Sequence, residues 1–179
     1  MADIIVSDRE NFHSVTFCSE KPKELYVNDW GYHKTPSEHV WGPTIRPYYL
    51  IHLVESGKGF LEHNGTVTEL KAGDAFVIRP WEVNLYRADA KEPWTYYWIS
   101  FYGSLSDKFM KNFHSHIVFN YSTSGLMALK TAVNNDAYTD SIGNLYVLFS
   151  VINGLKSSIK NPQEDVLDLA LKYIENNYA

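Results

Sequence analysis

The chain has 179 residues, with 16 Lys and Arg against 21 Asp and Glu and a formal charge of −5. That length holds one barrel-sized unit plus some helices and is short for two independent domains; the acidic balance and the lack of any Lys/Arg-rich run exclude a surface built to neutralise a phosphate backbone. The single cysteine, Cys18, excludes an internal disulfide framework, the opening MADIIVSDRE is too polar for a signal peptide, and no apolar run approaches the roughly 18 residues of a membrane span.

The expected location is therefore the cytoplasm, with no membrane partner. Aromatic residues make up 15% of the chain, with 13 Tyr and 5 Trp. Tyr and Trp bring polar tips that need partners when buried, so a crowd of them inside a barrel points to a partly polar cavity as well as to ordinary core.

In chain order, residues 1–24 are polar with scattered apolar positions such as Ile4, Val6, Phe12, Val15 and Phe17, and suit a draping arm with at most a short strand. Glu24 to Trp30 reads as a strand. Gly31 to Pro47, carrying Pro36, Gly42, Pro43 and Pro47, reads as an irregular connection.

From Arg46 to Phe101 come short strands punctuated by tight turns. Asn64-Gly65 sits between two alternating arms, a strong hairpin signal because both central residues of a type I′ turn need positive φ. Gly57 and Gly59 bracket the bend before it, Gly73-Asp74 makes the next turn, and Pro80 ends the strand Ala75 to Ile78 because it has no amide to donate. Turns this close together, between strands rich in Val, Ile, Phe, Tyr and Trp, define a small antiparallel barrel spanning residues 25–103.

After Gly103 the apolar period changes from two to 3.6, giving a helical region over residues 104–160. Ser104 or Ser106 is placed to cap a short helix, and Ser124 another. The longest periodic segment, Ser141 to Ile159, carries two adjacent stripes, one with Ile142, Leu145, Phe149, Ile152 and Ile159, the other with Leu148 and Leu155. Either both dock on the barrel, or one docks at home and the other pairs with its twin in a homodimer through residues 141–159. Asn161-Pro162-Gln163-Glu164 reads as a helix start, and the apolar face after it, Val166, Leu169, Tyr173 and Ile174, ends at Ala179 without a partner element. Residues 161–179 are accordingly read as the lead-in to a further domain.

The turn pattern resembles a cupin, a fold that often binds a metal through two His, a Glu and a later His directed into the barrel. The Glu position is Leu50, the two His positions fall within Pro43 to Arg46, and the later His position is Asn84, so all of those ligands are missing. Among the histidines only His114-Ser115-His116 has close spacing, and in so polar a segment it reads as solvated surface. No metal or other cofactor is therefore expected, and with no nucleophile motif or phosphate-binding loop the chain is read as a non-enzyme. A small cupin enzyme such as a sugar isomerase is the alternative. Alternation groups Trp94, Tyr96, Trp98 and Ser100 on one face of a strand, Glu82, Asn84 and Tyr86 on another, and Arg46, Tyr48, Leu50 and His52 on a third. Flat rings suit the C–H face of a sugar, and Arg, Asn, His and Tyr tips suit its hydroxyls. Trp98, Tyr96, Tyr86, Asn84, Arg46, His52 and Trp94 are the candidate ligand-binding residues.

The order of Ile51-His52, Ser56-Gly57-Lys58-Gly59, Ala72-Gly73-Asp74, Tyr86 with Ala88-Asp89, and Pro93-Trp94 onward to Gly103 strongly resembles the effector-binding domain of AraC-type transcriptional regulators, especially those of Gram-positive sugar metabolism. The resemblance implies a mainly β fold, a cupin-like barrel followed by dimerisation helices, with DNA contacted only through helix-turn-helix motifs beyond this chain. It also implies a small-molecule effector, a mono- or oligosaccharide, and an N-terminal arm that closes over it. In the family's arabinose-binding member the sugar lies under a Trp that aligns with Trp98 and meets a Tyr that aligns with Tyr86. The family His falls on Tyr96, a departure, and the family Arg has no clean match, leaving Arg46 as a substitute.

Overall fold

Asn64 and Gly65 take φ of 49° and 74°, the left-handed conformation that a two-residue hairpin turn requires. They join β6 (Lys58–His63) to β7 (Thr66–Lys71), with His63 opposite Thr66. The computed structural model describes residues 4–18, 23–111, 113, 115–135, 140–157 and 173. Around this hairpin, β4 (Val40–Thr44), β9 (Asn84–Ala88), β6 and β7 form a four-stranded sheet in the order β4-β9-β6-β7. A seven-stranded sheet faces it, built from β1 (Ile4–Arg9), β2 (Phe12–Phe17), β3 (Tyr26–Lys34), β5 (Tyr49–Ser56), β8 (Ala75–Ile78), β10 (Thr95–Tyr102) and β11 (Ile117–Val118), in the order β1-β2-β3-β10-β5-β8-β11. All the strand pairs are antiparallel. The result is the cupin-like barrel, with helices after it, that the sequence predicts.

Two parts of the barrel differ from the sequence reading. Residues 4–17 form a hairpin whose second strand pairs with β3 along Phe12 to Thr16, rather than a loosely draping arm. The strand expected to stop at Trp30 runs on to Lys34, and β4 lies within the stretch read as irregular. Gly31 misled the reading because glycine usually weakens a strand; here its missing Cβ is a packing requirement. A Cβ at Gly31 would sit 2.2 Å from the His13 carbonyl oxygen and 2.5 Å from Trp98 Cη2.

Strand alternation divides the core in two. Tyr97, Ile99 and Phe101 of β10 face away from the barrel and join Ile51, Leu53 and Trp30 against the helices. Tyr96 and Trp94 face inward and pack with Phe76, Tyr86, Leu61 and Leu70 between the sheets. The helices are α1 (Ser106–Met110), α2 (Thr123–Asn134) and α3 (Ser141–Lys156), and none of the described helices is long and apolar enough to cross a membrane. Tyr121 donates its hydroxyl to the Val54 carbonyl at 3.1 Å, and Lys130 of α2 pairs with Glu55, so the helical layer is tied to β5.

The helix caps also differ. Leu105 occupies the position before α1 and Ser122 the position before α2, neither with a side-chain cap bond; the Ser124 hydroxyl lies 3.1 Å from that of Ser122. Asp140 caps α3, its Oδ1 accepting from the Gly143 amide at 2.6 Å.

Leu145, Leu148, Phe149, Ile152 and Leu155 are all buried within the single chain, so the second stripe and the described part of the first beyond Ile142 dock at home. The exposed apolar residues on the helical layer are instead Met127, Ile142 and Tyr146. Ile159 and the helix start at Asn161 lie outside the described residues, as does the rest of that segment except Tyr173, which is buried.

Candidate functional site

The closed end of the barrel is solid. Phe76 and Trp94 are fully buried there, with ring centroids 5.9 Å apart and planes nearly parallel. Trp94, one of the candidate ligand-binding residues, is therefore part of the barrel floor and does not line a cavity. The reason is register: it lies two residues deeper on its strand face than Tyr96, where Gly59 leaves room for the indole to within 2.4 Å of a Cβ position.

The other end holds a cavity of about 260 Å³. Five of the seven candidates line it: Arg46, His52, Tyr86, Tyr96 and Trp98. They come from three strands of the barrel and the segment that precedes the first of them. Arg46 and His52 lie before and within β5, Tyr86 in β9, Tyr96 and Trp98 in β10, and Trp98 is opposite His52 across the β10–β5 ladder. Asn84 does not line the cavity. It stands behind Arg46, whose Nη1 donates to Asn84 Oδ1 at 3.4 Å, while Asn84 Nδ2 donates to the carbonyls of Thr44 and Glu82 at 3.2 and 3.3 Å.

Arg46 is the cation at the centre of this wall. It lies within hydrogen-bonding reach of the Tyr48 and Tyr86 hydroxyls, and the Tyr86 and Tyr96 hydroxyls lie within reach of each other. Burial pushes Tyr86 up to about 12, against the lowering effect of Arg46, and burial first and then Tyr86 hold Tyr96 well above its ordinary value. Both phenols are neutral at physiological pH and so both donate and accept. His52 is fully buried and stacks on Phe76 at 4.3 Å; burial, followed by the positive charge of Arg46, holds its pKa well below 6.5. It is a neutral imidazole with Nδ1 buried and unpartnered among the described residues. The wall thus offers a fixed cation and several neutral groups that exchange hydrogen bonds in both directions, which is the chemistry a polyhydroxylated molecule needs.

Beside that wall is an aromatic cover. The Trp98 indole donates to Asp29 Oδ1 at 2.8 Å, and Asn28 Nδ2 donates to the other Asp29 oxygen at 2.6 Å. Phe12 of the N-terminal hairpin lies on Trp98 with ring centroids 5.6 Å apart, and the Arg46 guanidinium lies 5.6 Å from the Trp41 ring. His33 also faces the cavity, 4.8 Å from His39, and burial followed by that neighbour lowers it to about 4.

Asp29, His33, Phe12, Ser14, Thr16 and Trp41 all line the cavity and were absent from the sequence-based set. Their signal was present but weak. Phe12, Ser14 and Thr16 alternate along β2, and Asp29, Gly31 and His33 along β3, opposite Ser100, Trp98 and Tyr96. Ending that strand at Trp30 hid the second series. His114 lies outside the described residues, and its neighbour His116 meets His63 rather than a solvated surface, with ring centroids 3.9 Å apart.

The sequence pattern of the family described as the AraC-like ligand binding domain matches residues 30–139. The chain belongs to that family. It is 39% identical over 88 residues to the Msm operon regulatory protein of Streptococcus mutans, an alignment covering 49% of this chain and 32% of that protein. It is 26% identical over 173 residues to the raffinose operon transcriptional regulatory protein RafR of Pediococcus pentosaceus, covering 80% and 58%. This chain thus spans between about a third and somewhat over half of the length of these relatives. Among solved structures it is similar to YhaK from Escherichia coli, with a TM-score of 0.48 at 12% identity, covering 66% of this chain and 58% of that one.

Proposed function

We propose that this chain is the effector-sensing part of a transcriptional regulator of the AraC type, that its effector is a sugar, and that the sugar binds in the cavity between Trp98 and Arg46. The observation carrying this reading is the pairing of a pinned indole with a cation-centred, hydroxyl-rich wall across about 260 Å³ of space. That volume lies just below the roughly 300–1,000 Å³ of sites for drug-sized ligands. It suits one sugar ring, either a monosaccharide or the terminal unit of an oligosaccharide. Trp98 stacks on the ring's C–H face, and Arg46, Tyr86, Tyr96 and His52 meet its hydroxyls. The chamber binds its guest and does not transform it.

Sensing requires that the sugar favour one arrangement of the protein over another. The N-terminal hairpin is the element in this reading that responds, since Phe12 rests on Trp98 and Ser14 and Thr16 border the cavity. The homodimer assigned to residues 141–159 forms through the edge bearing Ile142 and Tyr146 together with Met127, because Leu148 and Leu155 are buried at home. DNA is contacted through a separate domain of the whole regulator.

The test is a panel of mono- and oligosaccharides that includes raffinose and lactose, the sugars in the names of related operon regulators. A cognate sugar at about 100 times its Kd should stabilise the chain by roughly 2.7 kcal/mol, with a change in tryptophan fluorescence. A panel producing neither effect would overturn the reading. Light scattering at micromolar concentration tests the dimer, and Tyr146→Asp should convert it to monomer.

A further inference from the structure

Three side chains far apart in sequence converge outside the cavity. His63 ends β6, Glu82 lies in the connection from β8 to β9, and His116 immediately precedes β11. Their ligand atoms all lie within 4.8 Å of one another. His116 also stands beside Glu82, its Nδ1 lying 3.4 Å from Glu82 Oε2.

A simple His116–Glu82 ion pair does not account for His63. Its ring lies 3.9 Å from the His116 ring, centroid to centroid, and its Nε2 is buried with no hydrogen-bond partner among the described residues. Leaving a buried ring nitrogen unpaired costs roughly 1–3 kcal/mol. A cation placed between the three side chains would satisfy that nitrogen and would be neutralised in part by Glu82.

The supporting contacts also fit. The Val77 carbonyl lies 3.1 Å from His116 Nδ1, which places the ring proton there and leaves Nε2 as the nitrogen that binds metal, and Glu82 Oε2 accepts from the Arg79 amide at 3.3 Å. Backbone contacts of this kind orient the ligands of protein metal sites. Two imidazoles and one carboxylate form a donor set for Zn²⁺ and its first-row neighbours, whereas Mg²⁺ and Ca²⁺ take oxygen ligands.

We propose that His63, Glu82 and His116 form a site for one divalent transition metal ion of the Zn²⁺ type, with water completing the coordination. Such an ion ties the β6–β7 hairpin of the four-stranded sheet to the β8–β11 edge of the seven-stranded one. The site lies apart from the barrel cavity and has none of the cupin ligand positions. It is independent of the sugar-sensing reading.

The experiment titrates ZnCl₂ into the tag-free, chelator-treated chain by calorimetry, with Mg²⁺ as control and Co²⁺ absorption as a second readout. The expected result is one Zn²⁺ per chain, a raised Tm, no response to Mg²⁺, and Co²⁺ bands without thiolate charge transfer. His63→Ala, His116→Ala and Glu82→Gln should each raise the Kd at least tenfold, with circular dichroism confirming that they fold. X-ray absorption on the Zn²⁺-loaded wild type should show two imidazole ligands, which keeps the test decisive should a variant misfold. No Zn²⁺-dependent shift, an affinity unchanged by the paired His63→Ala and His116→Ala substitutions, or fewer than two imidazoles would overturn the site.

Discussion

The Trp98 indole N–H points at Asp29 Oδ1 at 2.8 Å, joining β10 to its neighbour β3 within the seven-stranded sheet. This bond orients the ring that covers the cavity, and it separates two roles that sequence alone merges. Trp98→Ala should abolish sugar binding, because it removes the stacking surface. Asp29→Ala leaves the ring but not its orientation, and should weaken affinity by about fivefold, in line with the roughly 1 kcal/mol of one hydrogen bond. Trp94→Phe should leave affinity within about threefold, since that ring forms the floor and its buried Nε1 has no partner among the described residues. Calorimetric titration of the three variants ranks them, and a Trp94→Phe variant as defective as Trp98→Ala would move the site deeper into the barrel.

Gly31→Ala tests the close approach of the N-terminal hairpin. Its φ lies outside the positive region, so the cost is of space, not of backbone conformation; the added methyl would overlap both the His13 carbonyl and the Trp98 ring. Overpacking of this kind costs roughly 1–3 kcal/mol. The expected outcome is a lowered urea midpoint together with weakened sugar binding. Wild-type values for both would show that β2 and Trp98 yield without consequence.

Acid should destabilise the fold well above the carboxylate range. His52 is held well below its ordinary 6.5 by burial and then by Arg46, and His33 is lowered to about 4 by burial and then by His39. Between pH 6.5 and about 4 the unfolded chain therefore binds more protons than the folded one, and stability falls with pH across that window. Denaturant midpoints at pH 7.5 and 5.5 check the sign. His52→Gln should flatten the dependence, and a midpoint that rises on acidification would contradict the neutral, buried imidazole.

The helical layer has its own close contact. A Cβ on Gly125 of α2 would lie 2.7 Å from Val151 Cα of α3, whereas one on Gly154 comes no nearer than 3.0 Å to the Ser122 carbonyl oxygen. Alanine gains roughly 0.5–1 kcal/mol over glycine inside a helix, against roughly 1–3 kcal/mol for overpacking. Gly125→Ala should therefore destabilise, by about 1 kcal/mol, while Gly154→Ala should be close to neutral. Equilibrium unfolding distinguishes them, and equal effects would mean that α2 and α3 can move apart freely.

Local chemistry in the chain was enough to specify the β6–β7 turn, the two faces of β10, and the cluster of Arg46, His52, Tyr86, Tyr96 and Trp98. Each of these depends on a period of two or on a turn that only Asn-Gly forms easily, and such constraints act over a few residues. What the chain order could not express were distances between elements. Gly31 read as the start of an irregular connection although it admits Trp98, and nothing along the chain marked Gly125 as admitting the backbone of Val151. Trp94 and Trp98 are indistinguishable by alternation, and only barrel depth makes one a floor and the other a cover. Asp29, Phe12 and the trio of His63, Glu82 and His116 acquire their roles through the pairing of strands far apart in sequence, a property of the folded sheets rather than of any one segment.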